Sequence, residues 1–113
     1  MSSLDKLIVA ASAARHSAHA PYSKHPVGAA VMSKSGMIYS GCNVENAAYP
    51  LGMCAEAMAI GNMILAEKTG PISAVVISGP GQHLCSPCGG CRQRIREFSD
   101  VNTEIYICDS EGQ

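Results

Sequence analysis

Cys54-Ala55-Glu56-Ala57-Met58-Ala59-Ile60-Gly61-Asn62-Met63-Ile64-Leu65-Ala66-Glu67-Lys68-Thr69-Gly70-Pro71-Ile72-Ser73-Ala74-Val75-Val76-Ile77-Ser78 passes from one kind of regular structure into the other, and its reading decides the fold. Residues 54–68 are good helix formers: Ala, Met, Ile, Leu and Glu. Between Cys54 and Ala66 the one charged side chain is Glu56. A helix that is apolar nearly all round is expected to be buried. Thr69-Gly70-Pro71 stops it. Residues 72–78 are β-branched and apolar, which predicts a buried strand.

Working outward, Leu4, Leu7, Ile8, Ala11 and Ala18 recur at helical spacing and predict an amphipathic helix over residues 3–18. Ala20-Pro21-Tyr22-Ser23 ends it. Residues 27–32 and 37–40 read as two strands of a hairpin around the turn Lys34-Ser35-Gly36. Residues 41–53 show no period, and Asn43, Asn46, Pro50 and Gly52 mark an ordered loop. After a further loop over residues 79–87, residues 89–98 read as a helix and 104–108 as a strand. The order αββαβαβ predicts an α/β fold, a mixed sheet covered by helices in a three-layer α/β/α arrangement. A length of 113 residues fits one domain, 1–113. Asp109-Ser110-Glu111-Gly112-Gln113 reads as a turn into another strand. Two expectations follow: a minimal domain, or a C-terminal part lying beyond Gln113.

Apolar residues make up 47% of the chain and aromatic ones 4%, with no Trp. The core is therefore expected to be thin and built from Ala, Ile, Val, Leu and Met, and self-association would bury more surface. The net charge is -1 and the eight basic residues are scattered. Nucleic-acid binding normally leaves a basic face, so the composition argues against that partner and for a small neutral substrate. The N-terminus lacks the pattern of a secretory leader, and no apolar run approaches the roughly 18 residues of a membrane span. A cytoplasmic protein without a membrane partner is expected. Its six Cys residues would then be reduced and available for metal or catalytic roles.

Two motifs carry chemistry. Pro87-Cys88-Gly89-Gly90-Cys91 opens a helix, and two thiolates at this spacing chelate one zinc ion. Helix N-terminal amides favour the anionic sulfurs. A redox pair, half of a four-ligand structural site whose other ligands come from Cys42, Cys54, Cys85, Cys108 and His83, and two core thiols are the competing readings. The second motif is Cys54-Ala55-Glu56. A carboxylate on an apolar helix is costly unless paired or used; the alternative is a solvated Glu favouring the helix dipole. Together the motifs form the signature of zinc deaminases, a pattern already described in general terms, with Cys as first ligand. Three protein ligands leave a zinc position open for water.

With these motifs, and with Pro21-Tyr22-Ser23-Lys24, Val27-Gly28-Ala29-Ala30 and Gly41-Cys42-Asn43-Val44-Glu45-Asn46-Ala47-Ala48-Tyr49, the chain resembles the small homotetrameric zinc-dependent cytidine deaminases along nearly its whole length. The resemblance implies Zn2+ on Cys54, Cys88 and Cys91, with Glu56 as the catalytic proton carrier. It implies substrate contacts from Asn43, Glu45, Ala55 and His25, the first two with the ribose hydroxyls. The implied reaction is hydrolytic deamination of cytidine or deoxycytidine to the uracil nucleoside, with ammonia released, as in pyrimidine salvage. The alternative is a modified cytosine nucleoside or a nucleoside antibiotic, as for the blasticidin deaminases.

The sequence departs from that family at two telling positions. Ala57 stands where the family has Arg against the thiolates, and Arg92 with the two helix N-termini is expected to compensate. His25 stands where the family has a Phe that stacks on the base. Arg94 and Arg96 read as a solvated helix face.

Overall fold

The computed structural model describes residues 2–68, 71–80 and 89–109. Helix α1 spans Ser3–Arg15, strand β1 Gly28–Ser33, strand β2 Ile38–Cys42, helix α2 Ala55–Glu67, strand β3 Ile72–Ser78, helix α3 Gly89–Glu97 and strand β4 Ser99–Cys108, with a 3-10 turn at Tyr49–Leu51. The sheet order is β2-β1-β3-β4. β1 is antiparallel to both β2 and β3, and β3 is parallel to β4, so the sheet is mixed.

Period-2 alternation along the central strands builds the two cores. Ala29, Val31, Val75 and Ile77 pack with Ala55, Ala59, Ile60 and Met63 of α2 and Ile95 of α3. Ala30 and Val76, one residue out of step, pack with Leu7 and Ala11 of α1. Helices thus cover both faces, giving the three-layer α/β/α arrangement.

α1 starts at a capping box, with the Ser2 hydroxyl accepting from the Asp5 amide at 3.1 Å and the Asp5 carboxylate accepting from the Ser2 amide at 3.3 Å. It ends at Arg15, short of the expected residue 18. The Ser17 and Ala18 amides turn back to Ala14 and Arg15 carbonyls, and His19 leaves to pair with the 43–45 segment. Two close approaches then fix the helices on the sheet. A Cβ on Gly28 would lie 2.0 Å from the Ala11 carbonyl oxygen. A Cβ on Gly41 would lie 2.6 Å from both the Ala55 carbonyl oxygen and the Ala59 amide nitrogen. Only glycine lets the start of α2 sit this close to β2. Gly41→Ala is expected to cost about 1–3 kcal/mol, because rigid backbone must move. Thermal denaturation should show Tm lowered by roughly 4 °C or more per kcal/mol.

Two further expectations need correction. α2 is buried on one face only: Ala55, Glu56, Ala59, Ile60 and Met63 are inside, while Leu65 is 83% exposed. β4 begins at Ser99 rather than Glu104 because its register shifts between Ile72 and Ala74 of β3. Thr103 covers the irregularity, its hydroxyl donating to the Ile72 carbonyl at 2.5 Å. Polar residues at a bulge carry no alternation, so the sequence pattern hides this part of the strand.

Candidate active site

The start of α2 gathers the reactive side chains. Cys54 is its N-cap residue, in extended conformation, and Glu56 lies in its first turn. Ala55 between them is buried. Because the first turn sits on β2 at Gly41, Glu56 points into protein and is only 5% exposed.

Cys91, the third residue of α3, is fully buried beside this turn. Its thiol hydrogen-bonds with Cys54 and with the Glu56 carboxyl. Burial pushes the Glu56 carboxyl above the ordinary carboxylate value, opposed by hydrogen bonds from its own amide and from Cys91 and by the positive charge of Arg94. Burial also pushes the Cys91 thiol far up, helped by the Glu56 charge. Two soft sulfur donors at the N-termini of two helices fit a divalent cation that displaces their protons. Sulfur donors at helix starts suit zinc. Cys88 lies outside the described residues, as do Cys85 and His83, and among the described residues no three metal-binding side chains form a cluster.

A short ladder brings the 43–45 segment beside α2. Val44 bridges Met53, the residue before Cys54, through amide-to-carbonyl bonds of 2.9 and 2.8 Å. On its other side Val44 bridges His19: the His19 amide donates to the Asn43 carbonyl at 3.0 Å and the Glu45 amide to the His19 carbonyl at 2.8 Å. Asn43 and Glu45 then hold the 22–27 segment. Asn43 Oδ1 accepts from the Val27 amide at 2.9 Å, and its Nδ2 donates to the His25 carbonyl at 3.0 Å. Glu45 Oε1 accepts from the Tyr22 and Ser23 amides at 3.0 and 3.1 Å, and its Oε2 from the Ser23 hydroxyl. The backbone of half-buried His25 is fixed between Ser23 and Asn43. A local Asx turn in this loop occurs at Asn46, whose Oδ1 accepts from the Ala48 amide at 2.9 Å.

The Ser23 hydroxyl and amide hold the Glu45 carboxyl below its ordinary value of 4.5. A lowered folded value means the charged form is favoured by folding, so this hold is present at neutral pH and is lost as acid carries the group down through that value. Amide hydrogen exchange at Tyr22 and Ser23 should report it. Protection is expected to fall as pH drops below about 4.5, and to be low at every pH in Glu45→Ala.

One functional feature was missed. Arg94 was expected on a solvated face, and its residue is indeed exposed, but its Nη1 donates to Cys91 Sγ at 3.4 Å. The signal was available, since positions three apart share a helix face. Arg92 is exposed on the same helix.

Comparison with known proteins agrees with this geometry. Residues 1–108 match the model of the cytidine and deoxycytidylate deaminase zinc-binding region. The chain is 38% identical over 109 residues to a cytidine deaminase of Sporosarcina psychrophila, covering 96% of this chain and 79% of that one. It superposes on the crystal structure of cytidine deaminase from Burkholderia pseudomallei with TM-score 0.87 and 39% identity, over 96% of this chain and 87% of the other. For the Mycobacterium tuberculosis cytidine deaminase the TM-score is 0.82 at 33% identity, over 89% and 81%. With the fold, the buried Glu56 and Cys91 beside the start of α2 and the match over residues 1–108 in agreement, the chain belongs to the zinc-binding cytidine and deoxycytidylate deaminase family.

Proposed function

We propose that the protein catalyses the zinc-dependent hydrolytic deamination of cytidine and deoxycytidine, giving the uracil nucleosides and ammonia. The observation that carries this reading is the buried Glu56 carboxyl between Cys54 and Cys91, at the first turn of α2. Cys54, Cys88 and Cys91 would hold the metal, which when bound makes water acidic enough to act as a nucleophile near neutral pH. Glu56 takes a proton from the attacking water, delivers it to N3 of the pyrimidine, and carries the proton that leaves with the amino group at C4. One carboxyl serves as base and then as acid, and burial tunes it towards neutral pH for both tasks.

Ala55 is the small buried residue beside Glu56 that leaves room for the base. Asn43 and Glu45, locked to the 22–27 segment, present their remaining acceptor and donor capacity to the ribose hydroxyls. His25 sits on the segment they anchor and faces the base. Self-association into a homotetramer is supported by the exposed apolar side chains Tyr49 (91%), Leu51 (73%) and Leu65. Thiolate ligands call for a reducing compartment, which supports a cytoplasmic salvage enzyme. Among the described residues no helix is long and apolar enough to cross a membrane.

The test follows cytidine absorbance and ammonia release with zinc-loaded protein. Stoichiometric ammonia with loss of cytidine is the expected result. A folded, zinc-loaded protein without turnover would overturn the assignment to cytidine and direct attention to modified cytosine nucleosides.

A further inference from the structure

We propose that Arg94 is a positioning residue of the metal centre, its guanidinium holding Cys91 Sγ and supplying the positive charge that the thiolate ligand set needs. The inference rests on the zinc deaminase reading. Its basis is the 3.4 Å contact from Arg94 Nη1 to Cys91 Sγ, made across one turn of α3.

The charge balance gives the contact its meaning. Zinc held by three thiolates carries a net negative charge, which makes the metal a poorer acid towards water and strains a buried site. A hydrogen bond from a cation to a ligand sulfur draws electron density from it and offsets that charge. Cys91 is fully buried, so the donor meets it where the dielectric is low, while the exposed body of Arg94 avoids the cost of burying a charge. Arginine cannot lose its proton in this setting, so the charge is constant across the working pH range.

The neighbouring helix is shaped to receive it. Ala57, Ile60 and Gly61 of α2 line one cleft with Gln93, Arg94 and Phe98 around α3. Ala57 follows Glu56 directly in α2 and carries only a methyl, and a Cβ at Gly61 would meet nothing within 4 Å. Small residues on α2 thus leave space beside the guanidinium, and a cation on α3 serves a site whose α2 wall has none at position 57.

The experiment uses the full chain loaded with Co2+ in place of zinc, together with zinc affinity by chelator competition. Arg94→Met keeps the length of the side chain and removes its charge. Zinc affinity is expected to fall roughly 10–100-fold, the range for loss of an outer partner of a metal ligand. The sulfur-to-cobalt charge-transfer band is expected to move to lower energy, because a sulfur without its donor gives up electron density more easily. Arg94→Lys should retain part of both properties. Arg94→Met with Ala57→Arg, which returns a guanidinium to the cleft from α2, should restore them, whereas Arg96→Ala should alter neither. An unchanged band and affinity in Arg94→Met would overturn the proposal while leaving the zinc reading intact. Should that variant not fold, an unchanged band together with wild-type zinc affinity in Arg94→Gln would overturn it equally. A wild-type protein that develops no sulfur-to-cobalt band would overturn the zinc reading itself, and this proposal with it.

Discussion

Glu56→Gln is expected to lower kcat by about 10⁴-fold while leaving the protein folded and zinc-loaded. General acid–base groups contribute roughly 10²–10⁴-fold, and here one carboxyl serves at both proton transfers, so the loss belongs at the top of that range. Gln has nearly the same shape, so the packing that leaves Glu56 only 5% exposed is preserved. What disappears is the capacity to take up and release a proton. Steady-state kinetics with cytidine should show KM changed little beside kcat, since the group acts on the transition state rather than on binding. Glu56→Asp is the informative companion: it keeps the proton chemistry but draws the carboxyl back, and a displacement of that order costs about 10²-fold. A Glu56→Gln protein with wild-type kcat would remove Glu56 from the reaction.

Cys91→Ser is expected to release the metal and, with it, all turnover. The hydroxyl oxygen is a hard, weak donor in place of a soft thiolate. Loss of outer partners already costs roughly 10–100-fold in metal affinity, so loss of a ligand should exceed about 100-fold. The position is fully buried, and a hydroxyl there that lacks a partner adds about 1–3 kcal/mol of destabilisation. Elemental analysis after dialysis should find zinc absent from Cys91→Ser. Cys42→Ser, a half-buried residue at the end of β2, should retain it. Zinc retained in Cys91→Ser with full activity would exclude Cys91 as a ligand.

Much of this was legible because it depends on short-range pattern. The apolar run of α2 and the β-branched run of β3 announce themselves, as do a carboxylate two residues after a thiol and a thiol, Cys91, at the head of a second helix. The face on which α2 is exposed was not legible, because composition alone cannot separate a surface that meets the sheet from one that meets another molecule. Arg94 was legible in part: of Arg92, Arg94 and Arg96 it alone stands three residues from Cys91, on the same helix face, but the turn of its side chain towards sulfur rather than solvent is carried by the tertiary structure. The roles of Asn43 and Glu45 in fastening the 22–27 segment depend on pairings across more than fifteen residues, which no local signal contains. The early part of β4 was masked by its bulge.

The pair of backbone bonds between Val44 and Met53 has a consequence for how the protein can change over generations. Residues 45–52 leave and re-enter through that clasp, and no side chain from Ala47 to Leu51 belongs to either of the two cores. Lengthening a loop costs little chain entropy, only about 0.6 kcal/mol for each doubling. Insertions or exchanges outside the clasp can therefore accumulate without shifting Cys54 or Glu45. That gives the protein a stretch of sequence in which new surfaces can be tried while the chemistry behind it stays as it is.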